Sequence, residues 1–362
     1  MPPSDSGHGS ESLIIYGLGT VGQAIVNDLL AERANIEFIL DRGKQGQSYR
    51  DIPILALEDA SDGRLEGKAV LIGLHNHYVD IKKLHSDLNA LGVSRILTPI
   101  NLPELAPKTS TRPGYWLDPN FDYAQHQTDF ARMRARLADE TSRNFFDAIL
   151  AYRRTGDIAY CPSPSLQDEY TPHDLPRFVQ PLRIIDCGAF TGVAVHKFLK
   201  AGYKITSLVA FEPDPANFEL LASRDFPIER HICLPLGTWS TTRQLSFSSD
   251  GSMASHLSDH GDWMIQCVAI DQVLHNERVN LVKLDVEGAE IETLRGMRQI
   301  VETQKPNLLV SAYHTPEHLY EIGDLIDSWN LGYKFHLRVH EYNTFGTVIY
   351  AFPNERNIIE EP

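Results

Sequence analysis

The sequence predicts an α/β chain of two doubly wound domains joined by a helical connector, with an antiparallel strand at the carboxyl end of the second sheet. Three observations carry this prediction. Apolar strand-like runs alternate with helix-like periods in both halves. Each half contains an apolar strand that runs into a glycine-rich turn opening a helix. A chain of 362 residues is also long for one core.

From Ser12 to Pro99 the candidate strands are Leu13-Ile-Ile-Tyr16, Ile36-Glu-Phe-Ile-Leu40 and Ala69-Val-Leu-Ile72. Helices are expected up to Leu30 and from Ile81 to Leu91. Prolines at 99, 103, 107, 113 and 119 then mark a connector of turns. Helical spacing follows in Phe130, Met133 and Leu137, and again in Phe145, Phe146, Ile149 and Leu150, with Ser142 as the expected N-cap. After prolines 162, 164, 172, 176 and 181 the β/α pattern resumes, with strands expected at 182–185, 207–211, 229–234, 244–248, 264–269, 280–284, 307–312, 333–339 and 346–352. The last two lie too close for a helical crossover and should pair antiparallel. The expected organisation is a disordered 1–11, a first domain 12–100, a connector 101–180, a second domain 181–355 and a tail 356–362.

Acidic residues outnumber basic ones, 48 to 33, for a formal charge of −15. Nucleic acid and anionic membranes need clustered Lys and Arg, so neither is an expected partner. The start carries no basic n-region followed by an apolar stretch, so no signal peptide is expected. Glycines and polar residues interrupt the apolar run Leu13 to Leu30, so no membrane span is expected. Four cysteines without a Cys-x-x-Cys pair read as reduced thiols in a cytoplasmic protein. The oligomeric state, homo-oligomer included, is left open.

The second glycine turn, Asp186-Cys-Gly-Ala-Phe-Thr-Gly192, opens with a carboxylate. Asp186 would repel a phosphate and favour a cation, while Gly188 and Gly192 permit close backbone approach. The next strand ends at Glu212, where a doubly wound fold places the carboxylate that holds ribose hydroxyls. A nucleoside with a positive head and no phosphate fits both, and S-adenosylmethionine has that chemistry. In Asn280 to Glu290 a strand runs out into Asp285 and Glu287, which suit either the ligand crevice or capping of the next helix, expected from Glu290 to Met297. His314 ends another apolar strand and is a candidate general base. His314 and His318 are four apart, but Thr-Pro-Glu between them makes His314 a strand end rather than part of a helix, so no metal site is assigned. Arg338 and His340 could face substrate or solvent. In the first half, Gly17-Leu-Gly-Thr-Val-Gly22 followed by Asp41 at the next strand end reads as a nucleotide-binding fingerprint.

On these residues the second half resembles the FkbM family of S-adenosylmethionine-dependent methyltransferases over about 180–352. The resemblance rests on Ile184-Ile-Asp-Cys-Gly-Ala, Ala210-Phe-Glu-Pro-Asp214, Val268-Ala-Ile-Asp271, Tyr313-His314 and above all Val282-Lys-Leu-Asp-Val-Glu-Gly-Ala-Glu290 with Leu294-Arg-Gly296. It implies a class I methyltransferase fold, with Asp186, Gly188 and Gly192 on the methionine side of the cofactor and Glu212 on its ribose. Ala189, Phe190, Pro213 and Asn217 belong to the same binding set. Asp285, Glu287 and His314 are then candidates for base or acceptor binding, with a divalent metal on their atoms left open. The resemblance implies O-methylation of a sugar, glycan precursor or secondary metabolite. Residues 12–100 resemble Rossmann units that precede some sugar-modifying enzymes, through Gly17, Gly19, Gly22 and Ile72-Gly-Leu-His-Asn76. A nicotinamide-dependent oxidoreductase using the first fingerprint and a non-catalytic scaffold are the competing expectations.

Overall fold

The computed structural model describes residues 12–354 apart from 61, 110, 112, 119, 249–255, 258–262 and 275. The expected tails, 1–11 and 356–362, lie outside the described residues. The chain forms two compact units, one of the residues up to Phe121 with Ala148–Pro162, the other of Asp122–Asp147 with the residues from Ser163 onward. Residues 101–180 are thus divided between the units.

In the first unit the elements are β1 (Leu13–Tyr16), α1 (Thr20–Ala31), β2 (Ile36–Leu40), β3 (Ser48–Tyr49), β4 (Ile52–Leu55), β5 (Ala69–Ile72), α2 (Ile81–Ala90), β6 (Arg95–Leu97) and α3 (Leu102–Leu105). The sheet order is β3-β4-β2-β1-β5-β6, and all pairs are parallel except β3 with β4. The order reverses at β1, so the glycine turn after it sits at the switch point. Ile25, Val26 and Leu29 recur at helical spacing on α1 and are buried in the core with Ile15, Ile39 and Leu71. Gly17 has φ 94°, and a Cβ on Gly22 would lie 2.2 Å from the Gly17 carbonyl oxygen. Both glycines are therefore demanded by the turn itself.

The second unit begins with α4 (Gln127–Arg136) and the start of α5 (Glu140–Thr155). Phe130 and Met133 bury the inner face of α4. Ser142 is not the cap of α5: Asp139, just before the helix, accepts from Ser142 N and Oγ, both at 2.7 Å. A carboxylate one residue before the helix reaches the free N–H groups of the first turn, which a serine inside the helix cannot.

The remaining elements are β7 (Leu182–Cys187), α6 (Val193–Lys200), β8 (Ile205–Phe211), α7 (Pro215–Ala222), β9 (Arg230–Leu234), β10 (Gly237–Thr238), β11 (Arg243–Ser248), β12 (His256–Leu257), β13 (Trp263–Val268), α8 (Ile270–Val273), β14 (Leu281–Leu284), α9 (Glu290–Gly296), α10 (Arg298–Gln304), β15 (Asn307–Ser311), α11 (His318–Ser328), β16 (Tyr333–Val339) and β17 (Thr347–Pro353). The main sheet runs β16-β17-β15-β14-β7-β8-β9, with β17 antiparallel to both neighbours. Its order reverses at β7, which has β8 on one side and β14 on the other.

The expected strands 244–248 and 264–269 do not join this sheet. They correspond to β11 and β13, which pair antiparallel in a separate four-stranded sheet with β10 and β12. Parallel addition to the main sheet needs a crossover, and a strand returning beside its predecessor forms a local ladder instead. Among the described residues no helix is long and apolar enough to cross a membrane.

The second and third glycines of the first turn are separable by mutation. Gly22→Ala should cost about 3 kcal/mol because a backbone carbonyl blocks the new methyl. Gly19 has no atom within 4 Å of a built Cβ, and Gly19→Ala should cost less than about 1 kcal/mol. Denaturant unfolding of the full chain checks this; equal losses would reject the packing account.

Candidate active site

Strand β7 ends against β14 more tightly than any side chain would permit. A Cβ on Gly188 would lie 1.8 Å from the Asp285 carbonyl oxygen, and Gly188 has φ 71°. The turn is pinned from the other side as Gly188 N and Ala189 N donate to the Phe211 carbonyl, both at 3.0 Å. It then reaches Glu212, whose Oε2 accepts from Phe190 N at 2.7 Å and whose Oε1 accepts from Asp214 N at 2.9 Å. Asp214 in turn caps α7 through Ala216 N and Asn217 N.

These bonds build one wall of a cavity at the carboxyl edge of the sheet. Gly188, Phe190, Glu212, Pro213 and Asn217 line it, Ile265 and Cys267 add apolar surface, and Asp285, Glu287 and Tyr313 close the far side. Burial pushes the Glu212 carboxyl up to about 7, against the pull of its two N–H donors. Asp186, Ala189, Gly192 and His314 do not line this cavity. Ala189 is buried in the core, and Gly192 has φ 84° and serves as the N-cap of α6 beside Phe226.

Asp186 therefore needs a different account from the one its position in the sequence suggests. It is fully buried, and its counter-ion is Lys283, directly opposite on β14, with Nζ 3.3 Å from Oδ1. Lys283 also donates to the Gly188 carbonyl at 2.6 Å and lies 4.0 Å from Asp285 Oδ2. Burial raises the Asp186 carboxyl. Burial alone would lower Lys283, but Asp186 and Asp285 outweigh it and raise the ammonium. Sequence reasoning missed Lys283 as a site residue; a lysine inside an otherwise apolar central strand was the available signal.

Across the cavity, Asp285 accepts from Tyr170 Oη and Tyr313 Oη, both at 3.2 Å. Glu287 adopts φ 53°, unusual for a residue with a side chain, and burial pushes its carboxyl up to about 8. His314 Nε2 lies 3.5 Å from Asp285 Oδ1 and 3.4 Å from Glu287 Oε2, while its Nδ1 lies 2.8 Å from Glu290 Oε1. Burial would lower the imidazole, but Glu290, Glu287 and Asp285 push it up to about 10. With no cation beside it, these carboxylates favour the protonated ring, which argues against the expected general-base role of His314. Glu290 is pulled down to about 2 by His314 and His318 despite burial. The sequence reading saw Glu290 as a helix start at the end of the family-like motif, and it gave neither Glu290 nor Tyr170 a place in the site. Arg338 and His340 are buried away from the cavity: Arg338 pairs with Asp174 at 2.8 Å, and His340 bonds Tyr350 Oη and the Ser165 carbonyl.

In the first unit, Gly17 and Asp41 line a groove with Arg42 and Glu58, whereas Gly19 and Gly22 do not. Asp41 Oδ2 accepts from Leu18 N at 2.8 Å, so part of its role is to hold the glycine turn.

Lys283→Met should strip Asp186 of its counter-ion and cost about 3–5 kcal/mol at neutral pH. The loss should shrink on acidification, as Asp186 takes up a proton, and in the double variant Asp186→Asn/Lys283→Met. Denaturation across pH measures it; a loss independent of both would remove the ion pair as the cause.

Residues 186–335 match the family model described as the methyltransferase FkbM domain. The hexuronic acid methyltransferase AglP of Haloferax volcanii is 30% identical over 115 residues, which are 30% of this chain and 47% of that protein, so the match spans about half the relative's length. The crystal structure of methyltransferase FkbM from Methylobacillus flagellatus superposes with a TM-score of 0.73 at 21% identity, covering 95% of this chain and 90% of that one, a likeness of fold. With the main sheet reversing at β7 and the motif residues gathered at its carboxyl edge, residues 186–335 are similar to the methyltransferase FkbM domain in sequence pattern, and the chain is similar to a solved FkbM methyltransferase in fold.

Proposed function

We propose that the second unit is an S-adenosylmethionine-dependent O-methyltransferase acting on a hydroxyl of a sugar, glycan precursor or secondary metabolite. The observation that carries this is one cavity lined at one end by Glu212 beside the glycine turn and at the other by Asp285 and Glu287. The donor set fits the cofactor. Glu212 suits ribose hydroxyls, Ile265 and Cys267 offer apolar surface to an adenine, and Gly188 leaves backbone rather than side chain at the turn. S-adenosylmethionine, when bound, supplies an electrophilic methyl on a sulfonium with a good leaving group.

Much of the rate would then come from positioning. Both oxygens of Asp285 are engaged by tyrosine hydroxyls, which fixes the carboxylate as an orienting group. Glu287, which neither tyrosine engages, would accept the proton of the acceptor hydroxyl in its ionised form, so this role grows as pH rises through about 8. The hexuronic acid methyltransferase named above favours a sugar acceptor within this class.

Calorimetric titration with S-adenosylmethionine tests the cofactor assignment. Glu212→Gln should weaken binding by at least tenfold. Ribose hydroxyls donate to the ionised carboxylate, so affinity should rise by about tenfold between pH 6 and 8 as Glu212 loses its proton near 7. The sign in the free protein is the reverse: the stability this group contributes is present below its unfolded value and lost as pH rises through about 7. The same titration with ADP examines the first unit, where binding lost in Arg42→Ala, at a residue lining its groove, and kept in Glu212→Gln is expected. No heat with S-adenosylmethionine at any pH would sink the reading.

Glu287→Gln should lower kcat by about 10²–10⁴-fold with cofactor affinity changed less than about twofold. Single-turnover assays on a panel of sugar acceptors measure it; an unchanged methyl-transfer step would exclude Glu287 as the base.

A further inference from the structure

Three buried side chains, of which spacing in the sequence pairs only His314 and His318, converge behind the cavity. Glu290 is the first residue of α9, His314 follows β15, and His318 is the first residue of α11, with exposures of 0%, 7% and 3%. One ligand atom from each lies within 4.8 Å of the others. His314 Nδ1 is 2.8 Å from Glu290 Oε1, and His318 Nδ1 is 3.3 Å from Glu290 Oε2. The two rings stand nearly perpendicular, at 86°, each with its Nδ1 toward the shared carboxylate.

We propose that Glu290, His314 and His318 form a binding site for a divalent transition-metal ion of the zinc class. Two imidazole nitrogens and one carboxylate are the donor set such ions take, whereas magnesium and calcium prefer oxygen throughout. The spacings suit it: nitrogen and oxygen ligands about 2.0–2.1 Å from a tetrahedral zinc stand about 3.3 Å apart.

A second observation separates the site from a simple hydrogen-bonded chain. Glu290 Oε2 is fully buried and accepts no hydrogen bond of ordinary geometry, a costly state that a bound cation relieves. A third is the far side of His314. Its Nε2 faces Asp285 Oδ1 at 3.5 Å and Glu287 Oε2 at 3.4 Å, the carboxylate–histidine–metal arrangement in which outer carboxylates orient a ligating ring. The ion would tie the end of β15 to the starts of α9 and α11 and, through His314, set the cavity carboxylates. Only that last link rests on the methyltransferase reading; metal binding does not.

The test uses the full chain, stripped with chelator and titrated with Co(II) while visible absorption is recorded. Saturation at one equivalent is expected, with a tetrahedral Co(II) spectrum that Zn(II) displaces. His318→Ala should abolish the spectrum, and His173→Ala, at an exposed histidine, should keep it. Glu287→Gln should weaken Co(II) by about 10–100-fold as an outer-sphere partner. Circular dichroism monitors folding, and the unmutated chain decides if His318→Ala does not fold. A folded, unmutated chain that takes up neither ion, or a spectrum that survives His318→Ala, would overturn the site. Because this readout needs neither cofactor nor acceptor, its failure is distinct from a failure of S-adenosylmethionine binding.

Discussion

The second unit is organised around a lysine ammonium held between two carboxylates at the junction of two central strands. Lys283 lies opposite Asp186 across the β7–β14 ladder, and Asp285 follows two residues on. A buried carboxylate with no partner at this position would be driven toward protonation. With Lys283 in place, an ionic arrangement survives among the buried apolar neighbours Ile184, Ile185, Val282 and Leu284 of the two strands. The same ammonium binds the Gly188 carbonyl, so charge balance and the shape of the glycine turn are one constraint.

From that junction the cavity follows by short, directional steps. Gly188 lies against the Asp285 backbone, Phe190 N holds Glu212, and Asp214 caps the helix that brings Asn217 to the wall. Each step uses a backbone N–H or a missing Cβ, which fixes position with little conformational freedom left to lose on ligand binding. The opposite wall is built differently. Asp285 is held by tyrosines from distant segments, and Glu287 sits in a left-handed turn followed by Gly288 at φ 101°. Such strain persists only where surrounding structure over-determines it, and it falls among the cavity's carboxylates.

Several site residues were legible because their signals are local. Glu212, Gly188, Phe190, Asp285 and Glu287 all stand at or just after strand ends, and a strand–turn–helix pattern places them at the carboxyl edge whatever the register. Asp186 shows where that logic stops. Its position is right, but whether a carboxylate faces the ligand or the core depends on what stands opposite, and Lys283 lies nearly a hundred residues away in the chain. His314 shows the same limit in its chemistry. The strand end was readable, but the ring's charge is set by Glu287 and Glu290, which reach it only through packing.

The sequence alone determined the alternation of strand and helix in both halves, the two glycine turns and the carboxylates that end the central strands. These depend on side-chain period and on φ values only glycine readily adopts, both properties of a few consecutive residues. Tertiary structure decided the separate β10–β13 sheet, the neutralisation of Asp186 by Lys283, and the meeting of Glu290, His314 and His318 from three elements. Those outcomes are set by strand register and helix placement, where a shift of one residue would turn each side chain to another face, and no local pattern encodes that choice.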